Sequence, residues 1–194
     1  MTGLTIGILG LALTALMCGI GSGLGLRSTA TATAGVLAED PKKWGKVMLL
    51  TLLPATQGLY GFVIAIIGAT MQLPTVANMQ NALTASGATV LSVATEAQIT
   101  AQGWNIFWAC LPMMIGGMVS AILQGKASAS TIIAVGKNSE TSKAFLFPAM
   151  IEFYALLGMV ASILLLINIP ITAIPDITIA PVKETAMAVT SLLG

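Results

Sequence analysis

One acidic residue lies inside the apolar stretches of the sequence. Glu152 falls within the run FPAMIEFYALLG, whereas every other Asp and Glu lies outside the stretches that are long and apolar enough to cross a bilayer. A carboxylate at bilayer depth is costly, and by default it marks an ion path or a proton relay. The alternative is a protonated glutamate that only makes hydrogen bonds. The sequence places no basic residue at the same depth, which favours the functional interpretation.

Polar side chains are predicted at the same depth as this acid. Thr56 and Tyr60 share one helix face, Gln57 lies three residues from Tyr60, and Gln124 closes another apolar run. Pro54 removes a backbone donor nearby and can leave a carbonyl oxygen free. Together with one carboxylate, these groups make an all-oxygen site of single negative charge, which suits a hard monovalent cation such as Na⁺. The alternative is interhelical hydrogen bonding without an ion.

The composition indicates an integral membrane protein and excludes several function classes. Of the 194 residues, 56% are hydrophobic and only 8% are charged, against about 25% charged in soluble proteins. A net charge of +1 offers no surface for nucleic acid. The chain has no His, which excludes imidazole-based triads and HExxH zinc sites. The glycine run GIGSGLG follows no strand, so it is not a nucleotide loop. We therefore expect no catalytic site for ATP hydrolysis.

Four apolar runs are predicted to cross the membrane as helices, because about 20 apolar residues span the hydrocarbon core. The runs cover residues 4–26, 47–73, 103–125 and 144–169. We expect the first helix to continue to about residue 38 and the third to about residue 135. The chain is then divided into a first hairpin, a loop, a second hairpin and a tail, at 1–73, 74–102, 103–169 and 170–194. The predicted fold class is all-α and multi-pass.

Basic residues predict the orientation of the four spans. Seven of the eight Lys and Arg residues flank the first and third connections. Because connections rich in Lys and Arg stay in the cytoplasm, the segments 39–46 and 136–143 are predicted to be cytoplasmic. The segment 74–102 and both termini should then lie on the opposite side.

The two hairpins are related by an internal repeat. The segment LPATQGLYG of the second span matches FPAMIEFYA of the fourth, which aligns Pro54 with Pro148 and places Gly58 opposite Glu152. The first and third spans match more weakly. Each hairpin has an even number of spans, so the two copies are predicted to be parallel.

Small residues in the first span predict close helix packing. Four glycines recur at every second position, at Gly19, Gly21, Gly23 and Gly25. Small residues let helix backbones approach closely in lipid, where no hydrophobic force drives helices together. Parallel hairpins that expose such a face suggest a homo-oligomeric ring with the small-residue helices inside.

Four motifs carry a resemblance to a known family. With GIGSGLG, LLPATQGLYGFVIA, LQGKASA and FPAMIEFYALLG, the region from about residue 19 to residue 167 resembles the K subunit, or ring proteolipid, of V/A-type rotary ATPases. The resemblance implies a ring of identical four-helix subunits that rotates against a stator subunit with an essential arginine, and that is attached to central-stalk subunits. The family is similar over the spans, but its typical members have a tight loop in place of 74–102 and lack the tail 170–194.

The resemblance also implies which residues bind the ion. The sodium-translocating members use ligands that correspond here to the Leu53 carbonyl, Thr56, Gln57, Gln124 and Glu152. Tyr60 would hydrogen-bond the carboxylate. We therefore expect a rotor subunit that carries Na⁺ across the bilayer, and a bacterial cell membrane as its location.

Three rival functions remain open at this stage. One is a purely structural proteolipid that forms a pore or a membrane contact, although this function leaves Glu152 unexplained. In a proton ring of the same family, Glu152 would be protonated and both glutamines would only pack, so H⁺ would replace Na⁺ as the cargo. A small antiporter that couples a membrane glutamate to export of an organic cation belongs to a different class. Such a site needs aromatic walls, and aromatic residues make up only 5% of this chain.

Overall fold

A computed structural model describes residues 2–86, 91–138 and 143–170, and almost all of these residues are helical. The helices are α1 (Gly3–Glu39), α2 (Trp44–Leu52), α3 (Thr56–Met71), α4 (Leu73–Ser86), α5 (Leu91–Lys137) and α6 (Leu146–Ile167). Single 3₁₀ turns join α1 to α2 and α2 to α3, at Pro41–Lys43 and Leu53–Ala55. The predicted all-α fold is confirmed. Apart from Pro170, the predicted tail 170–194 lies outside the described residues.

The described chain contains four helical stretches that are long and apolar enough to cross a membrane. They extend over Gly3–Glu39, Pro41–Thr84, Glu96–Lys137 and Lys143–Ile167. Their most apolar windows have mean hydropathies between 1.7 and 2.3, as expected of spanning segments. The second stretch contains α2, α3 and most of α4, together with both 3₁₀ turns. The turn at Leu53–Ala55 matters for the site below.

The described part of the predicted connection 74–102 is helical. Helix α4 continues the second span, and α5 begins ahead of the predicted start of the third. Pro74 does not end the span because it is the second residue of α4, where a helix needs no backbone N–H. Val76 and Met79 are buried in the same apolar cluster as Ile99 on α5. Apolar packing therefore continues past the residue at which polarity suggested a loop.

The two longest helices form the centre of the fold. Helices α1 and α5 make the most extensive contact in the described chain, while α3 packs on α1 and α6 packs on α5. Each hairpin therefore contributes one central helix and one outer helix. The outer helices α3 and α6 also touch each other, and the candidate site lies where they meet.

Glycines allow α1 and α5 to approach at backbone distance. A Cβ atom on Gly21 would lie 2.6 Å from the carbonyl oxygen of Met118, and one on Gly25 would meet the backbone of Ala121. At Gly19 and Gly23, by contrast, a Cβ atom would have no atom of the same chain within 4 Å. The predicted packing glycines therefore divide into two groups, and only Gly21 and Gly25 pack inside a single copy.

Candidate functional site

A local break in the second span creates the first part of the site. Pro54 cannot donate a backbone hydrogen bond, and the chain forms a 3₁₀ turn at Leu53–Ala55 before α3 begins at Thr56. The Leu53 carbonyl accepts the backbone N–H of Thr56 and lies 2.8 Å from its hydroxyl oxygen. Pro54 is buried against the α1 backbone, because a Cβ on Gly25 would lie 2.7 Å from the Pro54 Cβ. The turn is thus fixed by close packing.

The Glu152 carboxylate lies at the centre of a hydrogen-bond network that joins both hairpins. Tyr60 donates from its hydroxyl to Oε1 at 2.6 Å. Three groups contact Oε2: Gln124 Nε2 at 2.6 Å, the Thr56 hydroxyl at 3.0 Å and Gln57 Nε2 at 3.2 Å. Side chains from α3, α5 and α6 therefore converge on one carboxylate.

The two glutamines are buried completely and bond to each other. Gln57 and Gln124 have no exposed surface. Gln57 Nε2 donates to Gln124 Oε1 at 2.6 Å, and Gln124 Nε2 donates to the Pro148 carbonyl at 3.1 Å as well as to Glu152. Buried amides without partners would cost free energy, so these bonds keep both side chains in place beside the carboxylate.

Oxygen atoms crowd the Thr56 hydroxyl. The Leu53 carbonyl, Glu152 Oε2 and Gln57 Oε1 lie 2.8, 3.0 and 3.3 Å from Thr56 Oγ1. A threonine hydroxyl has one hydrogen to donate, so it can donate to only one of these three oxygens at a time. A shell of oxygens with too few protons is the arrangement that a hard cation neutralises.

The charge of the site favours a monovalent ion. Within residues 2–86, 91–138 and 143–170, no group of three or more His, Cys, Asp or Glu side chains could hold a metal ion. Glu152 is the single acid of the oxygen cluster, so one carboxylate and neutral oxygens face any bound cation. Such a set balances one positive charge, whereas divalent cations usually bind more than one carboxylate.

Comparisons with known proteins match most of the chain. The family model of the ATP synthase C subunit matches residues 9–68 and 107–165, which are the two hairpins. The chain is 35% identical over 167 residues to the V-type sodium ATPase subunit K of Enterococcus hirae, covering 86% of this chain and 93% of that protein. It is also 35% identical over 167 residues to the A-type ATP synthase subunit K of Methanocaldococcus jannaschii, covering 86% and 64%.

The chain belongs to the ATP synthase C-subunit family. The two matched segments confirm the predicted internal repeat, and the relatives confirm the resemblance drawn from the sequence motifs. This C-subunit protein is an integral membrane protein with two helical hairpins. The family match also removes the ground for the antiporter alternative, which rested on the isolated membrane glutamate alone.

The first hairpin of this C-subunit protein contains the counterpart of the acid position, but no acid. Gly58 stands where the second hairpin has Glu152, and its backbone N–H donates to the Ser22 hydroxyl at 2.8 Å. The weaker repeat of the central helices places Ser22 opposite Gln124. The first hairpin thus replaces the carboxylate and its amide partner with one backbone-to-serine hydrogen bond.

The structure brings together every residue that the sequence predicted for the site. The Pro148 carbonyl, which accepts from Gln124, was not among the predicted site residues. The repeat did not indicate it, because the carbonyl predicted in the first hairpin is that of Leu53, whose counterpart is Phe147. Recognising that Gln124 would be its donor required the packing of α5 on α6.

Proposed function

We propose that this protein is a rotor-ring subunit of a V/A-type rotary ATPase that binds Na⁺ at Glu152 and carries it across the membrane. The oxygens around the Thr56 hydroxyl carry this proposal, because the Leu53 carbonyl and Glu152 Oε2 both lie within 3.0 Å of a group that has one proton. The name of the Enterococcus hirae relative, a V-type sodium ATPase subunit K, supports sodium as the cargo. The proposed ligands are Leu53, Thr56, Gln57, Gln124 and Glu152.

Binding of Na⁺ requires one amide to turn. Gln57 directs Nε2 toward Gln124 Oε1 and Glu152 Oε2, and a nitrogen that carries hydrogens cannot coordinate a cation. The two ends of an amide have nearly the same shape, and the hydrogen-bond network decides their direction. A half-turn of the Gln57 amide places its oxygen beside these two oxygens. Gln124 keeps its Nε2 on the Pro148 carbonyl and Glu152, so its own oxygen already faces the ion.

Neutralisation of the carboxylate explains how the site moves through lipid. An ionised carboxylate at bilayer depth is costly, whereas the Na⁺–Glu152 pair has no net charge. As the ring rotates, each occupied site passes the lipid and reaches the stator subunit, where an arginine attracts the carboxylate and releases the ion. Tyr60 keeps Oε1 bonded, which leaves Oε2 directed to the ion.

The same proposal covers the partners and the location. The homo-oligomeric ring contacts a stator subunit with the essential arginine and the central-stalk subunits, and it lies in the cell membrane of a bacterium. The connections at 39–46 and 136–143 face the cytoplasm, where the stalk attaches. The two central helices α1 and α5 line the inside of the ring.

A proton ring is the competing function, and it makes a different use of the glutamines. A protonated Glu152 needs no oxygen ligands, so Gln57 and Gln124 would serve only to pack and hydrogen-bond. In that case the carboxyl proton needs an acceptor, so one of the four groups that donate to Glu152 would have to accept instead, for example the Thr56 hydroxyl. The two functions differ in whether Na⁺ competes with chemistry at the carboxyl group.

Carbodiimide labelling of the purified ring tests the proposal. The reagent attacks a protonated carboxyl group in an apolar site, and mass spectrometry locates the adduct. We expect labelling at Glu152 that NaCl suppresses and KCl at the same ionic strength does not. The Glu152→Gln variant should take no label, whereas Glu39→Gln, which changes an exposed acid at the end of α1, should behave like the wild type. Labelling of Glu152 that ignores Na⁺ would establish the proton ring instead.

A further inference from the structure

We infer that Ser162 is a positioning residue, which fixes the register of α6 against α5 and thereby places Glu152 beside Gln124. The inference rests on the proposed ion site but concerns residues outside it. Ser162 is fully buried on α6 and does not touch the carboxylate network. Its hydroxyl instead accepts a hydrogen bond from the backbone of the neighbouring span.

The contact is made at a proline in the middle of α5. Pro112 lies inside this helix, where it removes one intrahelical hydrogen bond. The next backbone N–H, that of Met113, donates to Ser162 Oγ at 3.0 Å, and the Met113 carbonyl accepts from Cys18 Sγ at 3.3 Å. Met113, Ser162 and Cys18 have no exposed surface. Helices α1, α5 and α6 are therefore joined at a single residue of α5.

The backbones of α5 and α6 lie close together at this point. A Cβ atom on Gly158, one turn before Ser162, would lie 3.2 Å from the Pro112 carbonyl oxygen. The glycine therefore allows the approach that the serine hydrogen bond needs. Small residues commonly serve this purpose between helices in lipid.

The Met113–Ser162 bond fixes the register in which Gln124 of α5 faces Glu152 of α6. Gln124 is 11 residues along α5 from Met113, and Glu152 is 10 residues along α6 from Ser162. The contact and the carboxylate are thus about 15 Å apart along each helix at 1.5 Å per residue. A slip of one residue would shift Glu152 by about 1.5 Å. The 2.6 Å bond from Gln124 to Glu152 and the 3.1 Å bond to Pro148 do not tolerate that shift.

The first hairpin lacks this polar contact. The repeat register that aligns Pro54 with Pro148 places Gly68 opposite Ser162. At Gly68 the space of a side chain is filled by Leu11 of α1, an ordinary apolar contact. At this position of the repeat, a hydrogen bond joins the outer and central helices only in the hairpin that carries the acid, and apolar packing takes its place in the first hairpin. The first hairpin has its own hydrogen bond between α3 and α1 ten residues away, at Gly58 and Ser22.

The weak burial of α6 explains why a polar contact matters there. Only 17% of its most apolar window is buried inside the chain, the lowest share of the four spans. In lipid, packing and interhelical hydrogen bonds hold helices together, because no hydrophobic force does so. A second buried bond also ties α6 to the first hairpin: Gln72 Nε2 donates to the Leu166 carbonyl at 2.8 Å.

The test compares Ser162→Ala with Ser120→Ala in the assembled ring. Ser120 is also buried in the membrane, but its hydroxyl bonds to Gly117 within its own helix, so its loss should not change register. For Ser162→Ala we expect the Na⁺ concentration that half-protects Glu152 from carbodiimide to rise by about tenfold, the usual effect of removing a partner that orients a ligand. Without Na⁺, labelling of Glu152 should be faster than in the wild type.

A hydroxyl-retaining variant and a second contact complete the design. Ser162→Thr keeps the acceptor and should restore protection toward the wild-type value. If Ser162→Ala does not assemble, Gln72→Met is judged by the same criterion, because it removes a buried bond to the α6 backbone that lies outside the ion site. The proposed function is tested separately, by whether Na⁺ protects Glu152 of the wild type from carbodiimide. Unchanged protection and unchanged Na⁺-free labelling rate in the assembled variant would overturn the positioning role, whichever ion the wild type binds.

Discussion

The two hairpins repeat one sequence pattern, but they contribute different side chains to the candidate site. The second hairpin provides the carboxylate and Gln124, whereas the first provides Thr56, Gln57 and Tyr60. At the acid position the first hairpin has Gly58, bonded to a serine. The hydrogen-bond network of the candidate site therefore contains side chains of both hairpins, and it forms only where the two hairpins meet.

The counterparts of the ligands show how far this division has gone. In the repeat register, Thr56 and Gln57 lie opposite Met150 and Ile151 of α6. These two apolar side chains offer no oxygen to a cation. The acid, its amide partner and the two proposed ligands on α3 thus all have counterparts of a different type in the other hairpin. Restoring an acid alone to the first hairpin would restore charge without the oxygen shell.

Removal of both amides should give the largest effect on this asymmetric site. In Gln57→Leu/Gln124→Leu, the carboxylate keeps Tyr60 but loses two proposed Na⁺ ligands. Since loss of a single orienting partner already costs about 10- to 100-fold in metal affinity, we expect Na⁺ protection of Glu152 to weaken by at least about 100-fold. Titration of carbodiimide labelling with NaCl measures this change, and labelling itself should persist.

The exposed Gln98 provides the control for that double variant. Gln98→Leu changes an amide outside the candidate site and should leave Na⁺ protection unaltered. Transport that continues at the wild-type rate without both amides would make Gln57 and Gln124 packing residues and favour the proton ring.

Two glycine variants should distinguish a glycine that packs inside one copy of the chain from a glycine that does not. Gly25→Ala places a Cβ against the Ala121 backbone and Pro54, whereas Gly23→Ala places one in open space. Overpacking of this kind costs about 1–3 kcal/mol. We expect a lower thermal unfolding midpoint for Gly25→Ala in detergent-solubilised single subunits, and an unchanged midpoint for Gly23→Ala. Equal midpoints would contradict the close α1–α5 packing described above.

An acid placed in the first hairpin should have the smallest effect on the existing site. In Gly58→Glu, the new side chain would lie near Ser22, because a Cβ there is 3.1 Å from the Ser22 hydroxyl oxygen. We expect a second carbodiimide adduct at position 58 that NaCl does not suppress, while Na⁺ protection at Glu152 stays the same. Peptide mapping distinguishes the adducts, and Gly58→Gln should give only the original one. Protection of both positions by Na⁺ would show that oxygen ligands remain in the first hairpin.

The site could be predicted from sequence because its signals are local or repeated. An acid in an apolar run has few explanations in a membrane, and the repeat aligned Pro54 with Pro148 and exposed Gly58 as the missing acid. The helical structure of 74–86 and 91–102 could not be read from their polar composition, because the burial of Val76 and Met79 depends on Ile99 of another helix. The Ser162 contact was likewise missing, since an isolated serine gives no sign of which backbone group it meets.

The Ser22–Gly58 hydrogen bond also affects the number of ions that the proposed rotor carries in one revolution. Because that bond occupies the place of a second carboxylate, each copy carries one ion for four spanning helices. A ring of a given circumference then moves half as many charges per revolution as a ring with an acid in every hairpin. Each charge costs about 2.3 kcal/mol per 100 mV, and the work of one revolution is divided among fewer ions. Such a ring can drive its cargo against a steeper gradient, and in reverse it needs a steeper gradient to make ATP.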